Sequence, residues 1–325
     1  MDFHLSFTPK KFSSAIRHFD KLLLIGSCFT ENIGIKLRQH KFSVLENPNG
    51  ILFNPVSISK SVHSYISNQP TLEEELFYQN ECWNSWDHHS RFSHPDKKIC
   101  LKGIHDLTLA ASNFILTADW IFITVGSAFV YELDNQQVVA NCHKVPTDKF
   151  RKRLLTATEV IESFEKMLDE IIKVNPSVKI IFTVSPVRHL REGFVENNRS
   201  KAVLIQSVHH LADTRENVFY FPAYELVVDD LRDYRFYAED MVHPNYAATN
   251  YVWEKFVPAC IDEDAQILMK EINTINAARS HKPLHPTSEL HKKFLDINLQ
   301  KLLELSKAYP HINFKDELAY FKSKF

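Results

Sequence analysis

Leu22-Leu23-Leu24-Ile25-Gly26-Ser27-Cys28-Phe29-Thr30-Glu31 sets the reading of everything on either side of it. Four consecutive apolar residues suit a parallel strand buried on both faces. Gly26 interrupts the run and permits a tight turn. From Thr30 to Arg38 the pattern resumes as a helix, with Ile33 and Leu37 one turn apart. A strand, a glycine turn and a helix start aim side chains at the carboxyl edge of a sheet, where open α/β folds bind ligands. Ser27 and Cys28 stand in that turn, and both are potential nucleophiles. Backbone N–H groups at a helix start favour an anion, which predicts a lowered thiol pKa at Cys28. The same residues also read as a plain βα turn holding a small inert cysteine.

Further strands are predicted at 42–46, 120–126, 178–184 and 218–221. Helices are predicted at 30–41, 57–68, 105–118, 147–174, 198–215 and 246–256. This alternation implies a three-layer, doubly wound α/β fold on a parallel five-stranded sheet. Residues 70–105 interrupt it as a long irregular insertion rich in aromatics, a candidate lid or pocket wall. After Pro258 the pattern turns polar and helical. The expected division is a catalytic domain over 1–260 and a helical extension over 261–325, with helices at 262–279, 288–308 and 313–323. That extension is a candidate surface for an oligomer.

The 325 residues are 44% hydrophobic and 24% charged, enough to bury a sizeable core. A net charge of −2 points neither to nucleic acid nor to an acidic membrane surface. No apolar run approaches the roughly 18 residues of a membrane span, and the N-terminus lacks a signal-peptide pattern. The five cysteines are scattered without a CxxC pair, so the expectation is a reducing, cytoplasmic setting with neither disulfides nor zinc. No GxGxxG or P-loop occurs, so no cofactor is expected. His88, His89 and His94 lack further ligands at metal spacing and read as surface or pocket residues.

Three features fall at or just beyond strand ends: Gly26-Ser27-Cys28, Gly126-Ser127 and Asp240-Met241-Val242-His243-Pro244. Asp-x-x-His lets a carboxylate orient an imidazole across one turn, and the imidazole can then take a proton from a hydroxyl or thiol. Pro244 suits the first turn of the helix that follows. Asn47, Asn49 and Asn54 read either as turn residues or as site lining. Asn141-Cys142-His143 reads as a pocket edge, or as a second cysteine–histidine pair. Arg188 and His189 follow a strand end and suit an ion pair, a substrate anion or an acyl carbonyl.

On these residues the chain resembles the SGNH (GDSL-type) hydrolase superfamily and, within it, the GSCFA-domain proteins. Gly26-Ser27-Cys28-Phe29 matches the motif behind that name, with Thr30 where the name has Ala. Asn47–Pro55, Gly126-Ser127, Ser185–His189 and Asp240–His243 look like the remaining blocks, so the resemblance covers about residues 20–260. It implies an SGNH or flavodoxin-like sheet and a hydrolase or acyltransferase acting on an ester, small or glycan-linked. Cys28 falls on the nucleophile, with Ser27 as the alternative, and Asp240 and His243 fall on the catalytic pair. Gly50 falls on an oxyanion-hole glycine. The third block normally supplies an Asn in a Gly-x-Asn context, and here Ala128 holds that position. Gly126, Ser127 and Asn141 remain as candidates near that lost donor. A catalytically inactive SGNH-fold binding module, or an interaction protein using the helical tail, is the competing reading.

Overall fold

The computed structural model describes residues 5–322. Its centre is a parallel five-stranded sheet. The strands are β1 (Lys21–Gly26), β2 (Ser43–Glu46), β5 (Trp120–Val125), β9 (Lys179–Val184) and β10 (Val218–Tyr220), in the order β10-β9-β5-β1-β2. By order along the chain this is the flavodoxin-like 2-1-3-4-5 arrangement. Its switch point, where ligands bind at the carboxyl edge, lies between β1 and β5. Gly26 pairs with Thr124 at that point.

The unbroken apolar run of β1 follows from cover on both faces. Leu23 and Ile25 pack under α2 (Pro55–Ser67), α3 (Lys97–Ile115), α4 (Ala157–Val174) and α5 (Phe194–Thr214). Leu22 and Leu24 pack on the opposite side, against α1 (Cys28–Gln39) and α7 (Tyr246–Cys260). Between β10 and α7 the chain makes a short helix, α6 (Ala223–Glu225), that widens into a π-helical turn over Leu226–Leu231.

Two regions depart from expectation. The insertion, expected to be irregular, carries regular structure: β3 (Leu76–Gln79) and β4 (Cys82–Ser85) form a hairpin closed by Asn80 and Glu81, both at positive φ. Left-handed residues at both turn positions match the twist of a hairpin. Its last residues already belong to α3, which starts at Lys97 because Asp96 accepts from the N–H groups of Lys98 and Ile99. The second departure is the single helix expected over 147–174. Arg151–Leu154 is instead strand β8, paired antiparallel to β6 (Phe129–Glu132), which also carries β7 (Val138–Val139). Arg153 bonds Glu132 across that pair and Glu159 in the next helix. α4 begins only after Thr156, whose capping box with Glu159 satisfies the first turn.

Helices α8 (Glu263–Ser280), α9 (Glu289–Ala308) and α10 (Lys315–Lys322) share an apolar cluster of their own, including Leu268, Ile272, Leu302 and Phe321. They rest on α1 and the turn after it through Asn276 Nδ2 to Gln39 O at 2.9 Å and the Lys41–Glu317 ion pair at 2.7 Å. Residue 323 of the expected last helix, like residues 1–4 of the lead-in, lies outside the described residues. Among the described residues no helix is long and apolar enough to cross a membrane.

Candidate active site

The turn after β1 is held from three directions. Gly26 has φ +146°, and a Cβ there would stand 2.2 Å from Thr124 O. Asn47 Oδ1 accepts from Gly26 N at 2.8 Å, and Ser27 N donates to Thr124 O at 3.2 Å. Ser27 is buried, and its Oγ caps α1 by accepting from Phe29 N. Ser27 therefore acts as the helix cap, with its hydroxyl shielded from solvent. Cys28 is the half-exposed member of the pair.

The expectation of a lowered thiol pKa is corrected. The Cys28 and Phe29 N–H groups and Lys201 do act in that direction, but burial, followed by the Glu31 carboxylate, outweighs them and pushes the thiol up. The environment of Cys28 therefore favours the neutral thiol over the thiolate.

The Asp240–His243 pair forms as the spacing predicts. His243 Nδ1 donates to Asp240 Oδ2 at 2.7 Å. Asp240 Oδ1 accepts from Val242 N and His243 N at 2.9 and 3.0 Å. These bonds draw the Asp240 pKa down to about 2. With Nδ1 bound to a carboxylate, the His243 Nε2 lone pair is the basic position. Pro244 sits earlier than expected: Asn245 is the cap and α7 starts at Tyr246. Arg188 N donates to Val242 O, tying this loop to the segment after β9. Cys28 and His243 thus occupy the same carboxyl edge, without a hydrogen bond between them.

The expected oxyanion donors are largely engaged. Gly50 N donates to Asn47 O at 2.7 Å, and both Gly126 N and Ser127 N donate to Phe53 O. Ala128 N donates to Ser200 Oγ. Gly50 has φ +81°, and its missing side chain lets His89 approach, where a Cβ would meet His89 Cβ at 2.2 Å. Ser127 Oγ accepts from Phe129 N, and Asn141 Oδ1 accepts from His143 N. Both residues line a 420 Å³ cavity beside the sheet edge, as do Cys142, Arg188 and Val242. His143 Nε2 bonds Ser85 O rather than Cys142. Asn47, Asn49 and Asn54 are buried turn and cap residues, holding Gly26 N, Tyr65 Oη and Ser57 N respectively.

The histidines of the insertion are likewise built into it. His88 Nδ1 bonds Ser85 Oγ, His89 Nδ1 accepts from Arg91 N, and His94 pairs with Trp83 through the backbone. Among the described residues no group of three or more His, Cys, Asp or Glu side chains could hold a metal ion.

Two residues complete the site. Lys201 of α5 is buried, and its Nζ donates to Gly126 O at 2.6 Å and Ser185 O at 2.7 Å, joining the ends of β5 and β9. Burial lowers its pKa to about 7, while Cys28 nearby acts the other way. A lysine on the stripe that carries Leu204, Val208 and Leu211 was the available signal. His189 is the other: its buried Nε2 has no partner and faces Gly126, where a Cβ would stand 3.1 Å away. Burial, then the charges of Lys201, His243 and Lys152, lower its pKa to about 3, so the ring is neutral at physiological pH.

Lys201 gives a pH prediction. Its folded pKa is about 7 against 10.5 unfolded. Between those values the unfolded chain binds more protons, so stability rises with pH. Urea denaturation near pH 7 and about pH 9 should show the wild type gaining on Lys201→Met. Parallel pH curves would contradict a proton lost from Lys201.

Comparison with known proteins gives remote structural likenesses and one family. A carbohydrate esterase family 3 structure from Talaromyces cellulolyticus is 12% identical, covering 78% of this chain and 99% of that one, with a TM-score of 0.38. A mutant acetyl esterase with acetate ion is 13% identical, covering 78% and 100%, with a TM-score of 0.38. No curated protein matches. The GSCFA family model matches residues 21–256, and that of the GSCFA domain protein, C-terminal domain, matches residues 272–325. The first match spans all five strands of the sheet, the Cys28 turn and the Asp240–His243 loop, and with it this chain belongs to the GSCFA family.

Proposed function

We propose that the protein is an SGNH-like hydrolase or acyltransferase that acts on an ester through Cys28, His243 and Asp240. The observation that carries this reading is the His243–Asp240 bond at 2.7 Å, on the carboxyl edge that also holds the half-exposed Cys28. His243 Nε2 takes the thiol proton as sulfur attacks the ester carbonyl, and returns it to the departing alkoxide. The C–O bond breaks and a thioester on Cys28 remains. Water completes hydrolysis, or an acceptor hydroxyl completes transfer. The hydrogen bond between sulfur and imidazole forms in the substrate complex, since catalytic bonds are often long or unmade in the free enzyme.

His189 takes over the oxyanion role that Ala128 lacks. A neutral imidazole donates from Nε2 without carrying a charge into a buried site, and that nitrogen is otherwise unpartnered. Steady-state kinetics on short-chain para-nitrophenyl esters test both assignments. His243→Ala should cost at least about a thousandfold in kcat. His189→Ala should cost on the order of a hundredfold in kcat with a smaller change in KM. Unchanged kcat in His243→Ala would remove the assigned base, and unchanged kcat in His189→Ala the assigned donor.

A further inference from the structure

The cavity beside the site carries a charge imbalance. Three cations, Lys152, Arg188 and Arg191, line it against one carboxylate, Glu192. Lys152 pairs with Glu192. Neither arginine has an ion-pair partner among the described residues. A chain of net charge −2 does not produce such a cluster by general bias. Arg188 is fixed under two rings, 4.8 Å from the centroid of Tyr234 and 4.1 Å from that of Tyr237. Its Nη1 is buried without a hydrogen bond. Lys152 Nζ lies 4.7 Å from the Phe129 centroid and 5.0 Å from that of Tyr131. An aromatic-walled guanidinium without an ion-pair partner, Arg188, beside a second such guanidinium, Arg191, suits a compact organic anion.

We propose that this cavity holds a carboxylate or phosphate carried by the ester substrate, with Arg188 and Arg191 as its specificity-determining residues. Crowded like charges are unfavourable until an anion joins them. Lys152 registers that crowding: burial first, then Arg191, lowers its pKa. Val242, between Asp240 and His243 in sequence, also lines the cavity, so an anion bound there lies beside the reacting group. The volume of 420 Å³ fits a single ring with its substituent. The inference rests on the ester reading for the reaction, but not for the binding of the anion.

Calorimetric titration of the full-length protein at low salt separates the two. The probes are para-acetamidobenzoate, phenyl phosphate and the neutral para-acetamidobenzamide. At least one anion should bind about tenfold tighter than the neutral amide, and its affinity should fall with added salt. Arg191 is exposed, so Arg191→Gln should fold normally and lose about tenfold, with Arg191→Lys retaining part of the binding. The tighter of the two anions tells a carboxylate from a phosphate substrate. Equal binding of anion and amide, no anion binding, or an Arg191→Gln protein with unchanged affinity would overturn the proposal. Anion binding without turnover of any ester would sink the enzyme reading and leave this one standing.

Discussion

Cys28→Ala should lose at least about a thousandfold of turnover on short-chain esters while keeping its fold. Ser27→Ala should behave in the opposite way. Its hydroxyl caps α1 through Phe29 N, so the loss is about 1 kcal/mol of stability, with turnover retained. The contrast follows from burial, since Ser27 is 1% exposed and Cys28 is partly exposed. Kinetics and urea denaturation on both variants check it. Full activity in Cys28→Ala with loss in Ser27→Ala would move the nucleophile by one residue and contradict the geometry of the turn. The raised thiol pKa adds a second expectation. Iodoacetamide labelling of Cys28 should accelerate on the alkaline side of neutrality, while the buried Cys100 and Cys260 stay unlabelled in the native protein.

Gly26→Ala should destabilise the fold by about 3 kcal/mol or more. At φ +146° an L side chain is strained, and its Cβ would press on Thr124 O at 2.2 Å. Neither side can yield cheaply, because Gly26 and Thr124 are paired neighbours in the middle of the sheet. The same displacement would carry Cys28 away from the edge, so residual activity should fall further than the folded fraction. Urea midpoints and specific activity at matched folded fraction give the answer. A Gly26→Ala protein with wild-type stability would mean that the turn does not need this close approach.

The central sheet was legible because its strands are buried on both faces. Leu22–Ile25 and Trp120–Val125 read as continuous apolar runs, and the glycine after each marks where the chain turns toward the site. The short antiparallel sheet was hidden by Arg151-Lys152-Arg153. Those residues form a polar edge strand, and their spacing runs without a visible break into the strong helical period of α4. Only the Thr156–Glu159 capping box separates them. Asp240 and His243 were legible because one turn of chain brings them together. At Gly50 the sequence is silent on the difference, because a glycine at positive φ looks the same whether it frees an N–H group or makes room for a neighbour, and here His89 packs where a Cβ would stand. Lys201 does not stand out in the sequence, because its bonds to Gly126 O and Ser185 O join segments distant in sequence and only its place on an apolar helix stripe hints at them. His189 reads as a residue that could meet an acyl carbonyl, but its approach to Gly126 is a long-range contact that the sequence does not record.

The most direct measurement is intact-protein and peptide mass spectrometry after rapid acid quench of the protein mixed with para-nitrophenyl acetate. A single acetyl group, carried as a thioester on Cys28, should accumulate in wild type and disappear in Cys28→Ala. Acetyl on Ser27, or sustained turnover with Cys28 unmodified and dispensable, would contradict that expectation.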